Sequence, residues 1–164
     1  MFDDLLLQQA ENVLDVYRKA GKRLATAESC TGGLIAGCLT EIAGSSDVVD
    51  RGFVTYSNAA KMEMLGVSLA LLEYPGPGAV SAEVAAAMAK GALVASQADV
   101  AVSATGIAGP GGATDDKPVG LVYLGWAGRG GTVQALHHVF PGDRTAVRLA
   151  TVREALRLLI EAAA

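Results

Sequence analysis

One lysine and a set of hydroxyls in this 164-residue chain are suited to nucleophilic chemistry. Lys61 stands at the start of a short helical stretch, among Ala59, Ala60, Met62, Met64 and Leu65. Partial burial there disfavours the ammonium form and lowers its pKa, which is what a lysine base requires. The plain alternative is a surface helix lysine. The hydroxyls within reach are Ser45, Ser46, Tyr56 and Ser57, with Ser29 and Thr105 on other loops. The corner GSSD, Gly44 to Asp47, could present Ser46 toward Lys61 across one strand, or be a turn whose side chains bond their own backbone.

A second concentration is AESCTGG, Ala27 to Gly33. A serine between a strand and a glycine-opened helix sits where backbone N–H groups point outward and favour an anion or an oxyanion. The stretch is not G-x-S-x-G, so it does not match the nucleophile elbow. Capping of the helix by Ser29 or Thr31, or ligand binding there, ranks ahead of nucleophilic attack. Cys30 needs a base to raise its thiolate fraction, and a small buried thiol is the simpler reading. The two histidines, His137 and His138, are adjacent in an expected strand and point to opposite faces, which gives a Ser–His–Asp triad little support. No His/Cys/Asp cluster has metal spacing, so no metal is expected. Asp115 and Asp116 read as a solvated turn.

The loop TGIAGPGG, Thr105 to Gly112, offers N–H groups without bulk and suits a ribose or phosphate. Arg144 and Arg148 open the last helix, and either could grip phosphate with two hydrogen bonds or lie solvated.

These residues need a frame to bring them together. Hydrophobic residues make up 51% of the chain and aromatics 5%, so Ala, Val, Leu and Gly must fill a tightly packed core. The length suits one domain, residues 1–164, with residues 1–21 as a lead-in helix. The net charge of −4 argues against a nucleic-acid partner. No signal peptide and no membrane-length apolar run appears, so a soluble cytoplasmic protein is expected.

Apolar spacing predicts helices over 3–20, 31–42, 58–65, 82–97 and 143–163. Strands are expected over 22–28, 48–56 and 99–105, and a hairpin spans PVGLVYLGWAG and GTVQALHHVF with its turn at Gly128–Gly131. The expected fold is α/β, a mixed sheet covered by helices on both faces. If the first three strands run parallel, their polar ends, AESCTGG, TYSNAAK and SATGIAGPGG, share one sheet edge. Ligands gather at such edges.

The chain resembles the family of the CinA (competence-damage inducible) C-terminal domain, also known as nicotinamide-nucleotide amidohydrolase. The resemblance rests on AESCTGGLIAG, GSSDVVDRGFVTYSNAAKMEMLGV, AVSAEVAAAMAKGA, ATGIAGPGG, KPVGLVYLG and FPGDRTAVRLATVREAL, in that order from about Ala27 to the end. It implies hydrolysis of the carboxamide of nicotinamide mononucleotide, a three-layer α/β/α fold, no metal or other cofactor, and a homo-oligomer. It puts the nucleophile on Ser46 and the base on Lys61. Ser29, Thr31, Gly32, Gly33, Tyr56, Thr105 and Gly106 fall on the surrounding pocket, and Arg144 on a substrate-positioning arginine. Ala59 departs from the glutamate common there, and YPGPGAVS from the commoner HGAVS turn.

Two other functions compete. A silent nucleotide-binding domain would use the same loops and release no ammonia. An amidase of another small amide would keep the lysine and serine but gain little from Arg144. Ser29 is the reserve nucleophile.

Overall fold

A computed structural model describes residues 1–164. Helix α1 (Asp4–Ala20) leads into β1 (Leu24–Glu28), then α2 (Leu34–Thr40) and β2 (Val49–Val54). Helices α3 (Asn58–Leu65), α4 (Leu69–Leu72) and α5 (Ala82–Val94) precede β3 (Val100–Gly106). The hairpin of β4 (Leu121–Gly128) and β5 (Val133–Val139) then leads to α6 (Arg144–Ala162). Two elements escape the sequence reading: α4, and a 3-10 turn over Ser45–Asp47. Each is too short to set up a periodic pattern.

Local side-chain and glycine signals set several helix ends. Asp3, Ser57, Ser81 and Asp143 each accept a backbone N–H from the first turn of the helix they cap. Gly21 ends α1 and Gly66 ends α3, both left-handed at φ 63° and 66°.

The sheet order is β2-β1-β3-β4-β5. Strand β1 runs parallel to both β2 and β3, while β4 and β5 are antiparallel additions. Helices α1, α2 and α6 cover one face, packed on Leu24, Val100, Val102, Val122 and Leu124. Helix α5, with α3 and α4 beside it, covers the other face on Ala25, Ala27, Ala101 and Ala127. The fold is therefore a three-layer α/β/α arrangement around a mixed sheet.

The alanine face lets α5 lie close to the strands. A Cβ on Gly125 would run into the Ala85 carbonyl of α5. Ser103 fits there because its hydroxyl donates to the same carbonyl at 2.6 Å. This close contact is the tight packing of small side chains that the composition implied.

Candidate active site

Because β1, β2 and β3 are parallel, their carboxyl ends lie on one edge. The chain returns to that edge at the end of β5, just before α6. Ser29, Thr55 to Lys61, Thr105 to Gly109, Arg144 and Arg148 are gathered there.

Ser29 follows the last residue of β1. Its N–H donates to the Ala104 carbonyl of β3 at 2.9 Å, which extends the ladder by one residue and fixes the serine backbone. The Ser29 side chain is half-buried. Lys61, in the first turn of α3, reaches it: Nζ donates to Ser29 Oγ at 3.0 Å and to the Thr55 carbonyl at 2.9 Å. Lys61 is 2% exposed and has no carboxylate within ion-pair distance. Burial pushes its ammonium below the usual lysine range, with Cys30 acting in the other direction. Burial in turn pushes the Cys30 thiol up to about 12. The thiol is thus uncharged at neutral pH and does little to hold a charge on Lys61.

The expected meeting of Ser46 and Lys61 does not occur. Ser46 is exposed in the turn that precedes β2, whereas Lys61 lies past the end of β2. The strand itself, roughly 17 Å long at about 3.3 Å per residue, lies between them. The sequence reading set GSSD one strand away from Lys61, but that strand is traversed lengthwise.

The glycine-opened helix start is also filled differently from expectation. The fully buried Glu28 carboxylate takes the N–H groups of Gly33 (3.1 Å), Ile35 (3.0 Å) and Ala36 (2.9 Å) and the Thr31 hydroxyl (2.5 Å). An internal carboxylate therefore occupies the place assigned to a substrate anion, and the Thr31 hydroxyl and Gly33 amide are already bonded. Neither Ser29 nor Thr31 caps α2; Glu28 does so from the end of the preceding strand. The signal was an acid directly before a loop that opens into a helix. The amides of Cys30 and Thr31, by contrast, find no acceptor in the chain.

Other expected residues lie on the loops of the same sheet edge. Thr105 is buried and donates to the Ala79 carbonyl at 2.8 Å, so it anchors the loop after α4. At Gly106 a Cβ would meet Leu121 and Val122 of β4. Tyr56 is exposed, and its hydroxyl accepts from Arg144 Nη2 at 2.9 Å. Arg144 Nη1 donates to the Gly109 carbonyl at 2.8 Å, tying the second and third loops together. Lys117 donates to the Pro77 carbonyl at 2.6 Å and ties the third loop to the one after α4.

The histidines lie on β5 and on opposite faces. His138 Nε2 is 3.1 Å from Glu154 Oε1 of α6, while His137 packs against Tyr123. A cavity of about 530 Å³ lined by Lys22, Asp99, Trp126, Arg129 and Gln134 opens at the other sheet edge. Its cations are already bonded to main-chain carbonyls: Lys22 to Ala163, and Arg129 to Leu93, Ser96 and Ala98. No helix is long and apolar enough to cross a membrane.

The family described as "CinA C-terminal domain" matches residues 7–163. A relative from Enterobacter agglomerans named nicotinamide-nucleotide amidohydrolase PncC is 61% identical over 123 residues, covering 75% of this chain and 74% of the relative. One of the same name from Escherichia coli K12 is 47% identical over 159 residues, covering 97% and 95%. Longer relatives also match, several called CinA-like protein, and the chain spans 33–38% of their length. The solved structure of competence/damage inducible protein CihA from Agrobacterium tumefaciens superposes with a TM-score of 0.92 at 53% identity, covering 98% of this chain and 97% of that one.

Proposed function

The chain belongs to the CinA C-terminal domain family, and on that premise we propose that it is a nicotinamide-nucleotide amidohydrolase in which Ser29 is the nucleophile and Lys61 the base. The substrate class follows the names of the two relatives above. The observation that carries the mechanism is the 3.0 Å contact between Ser29 Oγ and a lysine only 2% exposed.

Neutral Lys61 keeps one N–H on the Thr55 carbonyl and turns its lone pair to the Ser29 hydroxyl. Ser29 Oγ forms a bond to the carboxamide carbon as its proton passes to Lys61 Nζ. The carbonyl oxygen becomes an oxyanion, held by backbone N–H groups at this edge. As the carbonyl re-forms, the C–N bond breaks and Lys61 returns the proton to the nitrogen, which leaves as ammonia. Water then attacks the ester, giving up a proton to Lys61 that goes back to Ser29 Oγ, and the acid is released.

Ammonia release from nicotinamide mononucleotide tests this reading. Ser29→Ala should lower kcat by at least about 10³-fold, the usual scale for losing an activated nucleophile. Ser46→Ala should change kcat/KM less than about 2-fold and stability within about 0.5 kcal/mol, as for exposed sites remote from the chemistry. The opposite pattern would restore Ser46 as the nucleophile. On this reading the protein is cytoplasmic, forms a homo-oligomer and acts on a small nucleotide rather than on nucleic acid; the net charge of −4 supports the last point.

A further inference from the structure

A buried hydroxyl, that of Thr55, stands at the end of β2. The Thr55 N–H donates to the Glu28 carbonyl at 2.8 Å, which carries the β1–β2 register one residue past Glu28 and Val54 and sets Thr55 beside Ser29. Two residues back, Phe53 packs into the cluster under α5, and side chains two apart on a strand share a face. Ser29 shares that face with Ala25 and Ala27. Lys61 reaches both residues there, Ser29 at its hydroxyl and Thr55 at its carbonyl.

The Thr55 hydroxyl has no hydrogen-bond partner in the protein, although the residue is fully buried. Buried polar atoms are seldom left so, since nothing offsets their lost hydration. Lys61, 2% exposed, has the opposite shortfall: its ammonium carries three donors, and Nζ finds two acceptors. The spare donor and the spare acceptor belong to residues already joined, because one of those acceptors is the Thr55 carbonyl. Turning χ1 of Thr55 between staggered positions moves the hydroxyl and leaves the carbonyl in place. Thr26 has the other buried hydroxyl without a partner. It lies on the opposite face of β1, under Gly52, where a Cβ would come within 2.9 Å of its Oγ1.

We propose that Thr55 is a positioning residue for the lysine base: its hydroxyl accepts a Lys61 N–H beside its own carbonyl, so that the lone pair of the neutral amine is directed at Ser29 Oγ. A neutral amine has two N–H groups and one lone pair. With the Thr55 carbonyl as the sole other acceptor, the second N–H and the lone pair compete for the serine. With both Thr55 oxygens engaged, the lone pair is what remains for it. The Ser29 proton then passes to Nζ, the ammonium keeps two N–H groups on Thr55, and the third carries the proton to the leaving nitrogen. The assignment rests on the Ser29 reading above.

The test compares Thr55→Val, which keeps the shape and removes the hydroxyl, with Thr55→Ser, which keeps the hydroxyl, and with Thr26→Val as the remote control. Nicotinamide mononucleotide is the substrate and ammonia the readout. Thr55→Val should lose about 10-fold in kcat, a fraction of the 10²–10⁴ that a general base supplies, with KM within about 3-fold. An acceptor on the ammonium favours the charged form, so its loss lowers the lysine pKa. The midpoint of the pH profile of kcat/KM should therefore fall by about one pH unit in Thr55→Val and return in Thr55→Ser. The ¹³C resonance of the Lys61 ε-carbon should titrate with the same shift, read without turnover. Cys30, the titratable group that acts on Lys61, is the same in every variant. Thr26→Val should keep both the wild-type kcat and the wild-type midpoint. If Thr55→Val does not fold, Thr55→Ala takes its place in each measurement. An unmoved midpoint, an unchanged kcat, or the same changes in Thr26→Val would overturn the proposal. Ser29→Ala is assayed in parallel: if it remains active, the Ser29 reading fails, whereas wild-type behaviour of Thr55→Val beside an inactive Ser29→Ala sinks only the threonine's role.

Discussion

Replacing Glu28 by glutamine exchanges one oxygen for an amino group inside a carboxylate that serves four donors. Oε2 accepts from the Thr31 hydroxyl and from the Gly33 and Ile35 amides, and Oε1 from the Ala36 amide at 2.9 Å. The best glutamine orientation keeps its oxygen at the Oε2 position and three of the bonds. Its NH₂ group then faces the Ala36 N–H, donor against donor. Leaving that amide unsatisfied costs about 1–3 kcal/mol. Losing the negative charge at the start of α2 adds about 0.3–1 kcal/mol. The sum, roughly 1.3–4 kcal/mol, lowers Tm by roughly 3–16 °C for a chain of this size. Urea unfolding followed by circular dichroism should show the same loss as a lower midpoint at unchanged slope. Activity should fall with it, because Ser29 is the next residue along the same backbone. A Glu28→Gln protein within about 0.5 kcal/mol of wild type would refute the reasoning, since a solvated surface carboxylate behaves that way.

Lys61→Met should lower kcat by about 10²–10⁴-fold, the range for loss of a general base, in the ammonia assay. Burial lowers the lysine pKa in the folded state, so the unfolded chain binds more protons between the folded and unfolded values. Wild-type stability should accordingly rise with pH across that window, which ends near the ordinary value of about 10.4, and this component should be absent from Lys61→Met. In the wild type kcat/KM should climb with pH as the amine loses its proton, with a midpoint below that ordinary value. The Cys30 thiol, pushed up to about 12, should react with iodoacetamide at pH 8 on the order of 10³-fold more slowly than a free cysteine, and at the free rate in denaturant. Gly125→Ala should cost about 1–3 kcal/mol or more in urea unfolding, because α5 must shift away from β4 to clear the Ala85 carbonyl.

Much of the fold was legible because its signals are local. The apolar spacing of the long helices and the Gly-rich hairpin turn are each decided within a few residues. The shared edge was legible conditionally: three polar strand ends meet only if the strands run parallel, and order and direction are long-range properties. Ser46 shows where local reasoning fails. Its distance from Lys61 depends on the direction of β2 relative to the helix that carries the lysine, and nothing within GSSD encodes that. Arg148 shows another limit: its partners, the Cys30 and Thr31 carbonyls, are more than a hundred residues away, and a helix arginine gives no sign of which carbonyls it will find.

The loop AESCTGG divides along the alternation of the strand that feeds it. Ala25 and Ala27 of β1 face α5, while Leu24 packs into the core under α1, α2 and α6. Successive side chains of a strand point to opposite faces. Glu28 therefore turns toward α2 and takes its first-turn amides, and Ser29, kept in register by its bond to Ala104, turns to the side where α3 delivers Lys61. Two adjacent polar residues thus serve different partners on different layers. An anion bound at the start of α2 would have to displace Glu28, whereas Ser29 has the Lys61 amine beside it at 3.0 Å. The helix start supports the site without being the site, and inserting or deleting one residue between Leu24 and Ser29 would exchange the two faces and should separate the serine from the lysine.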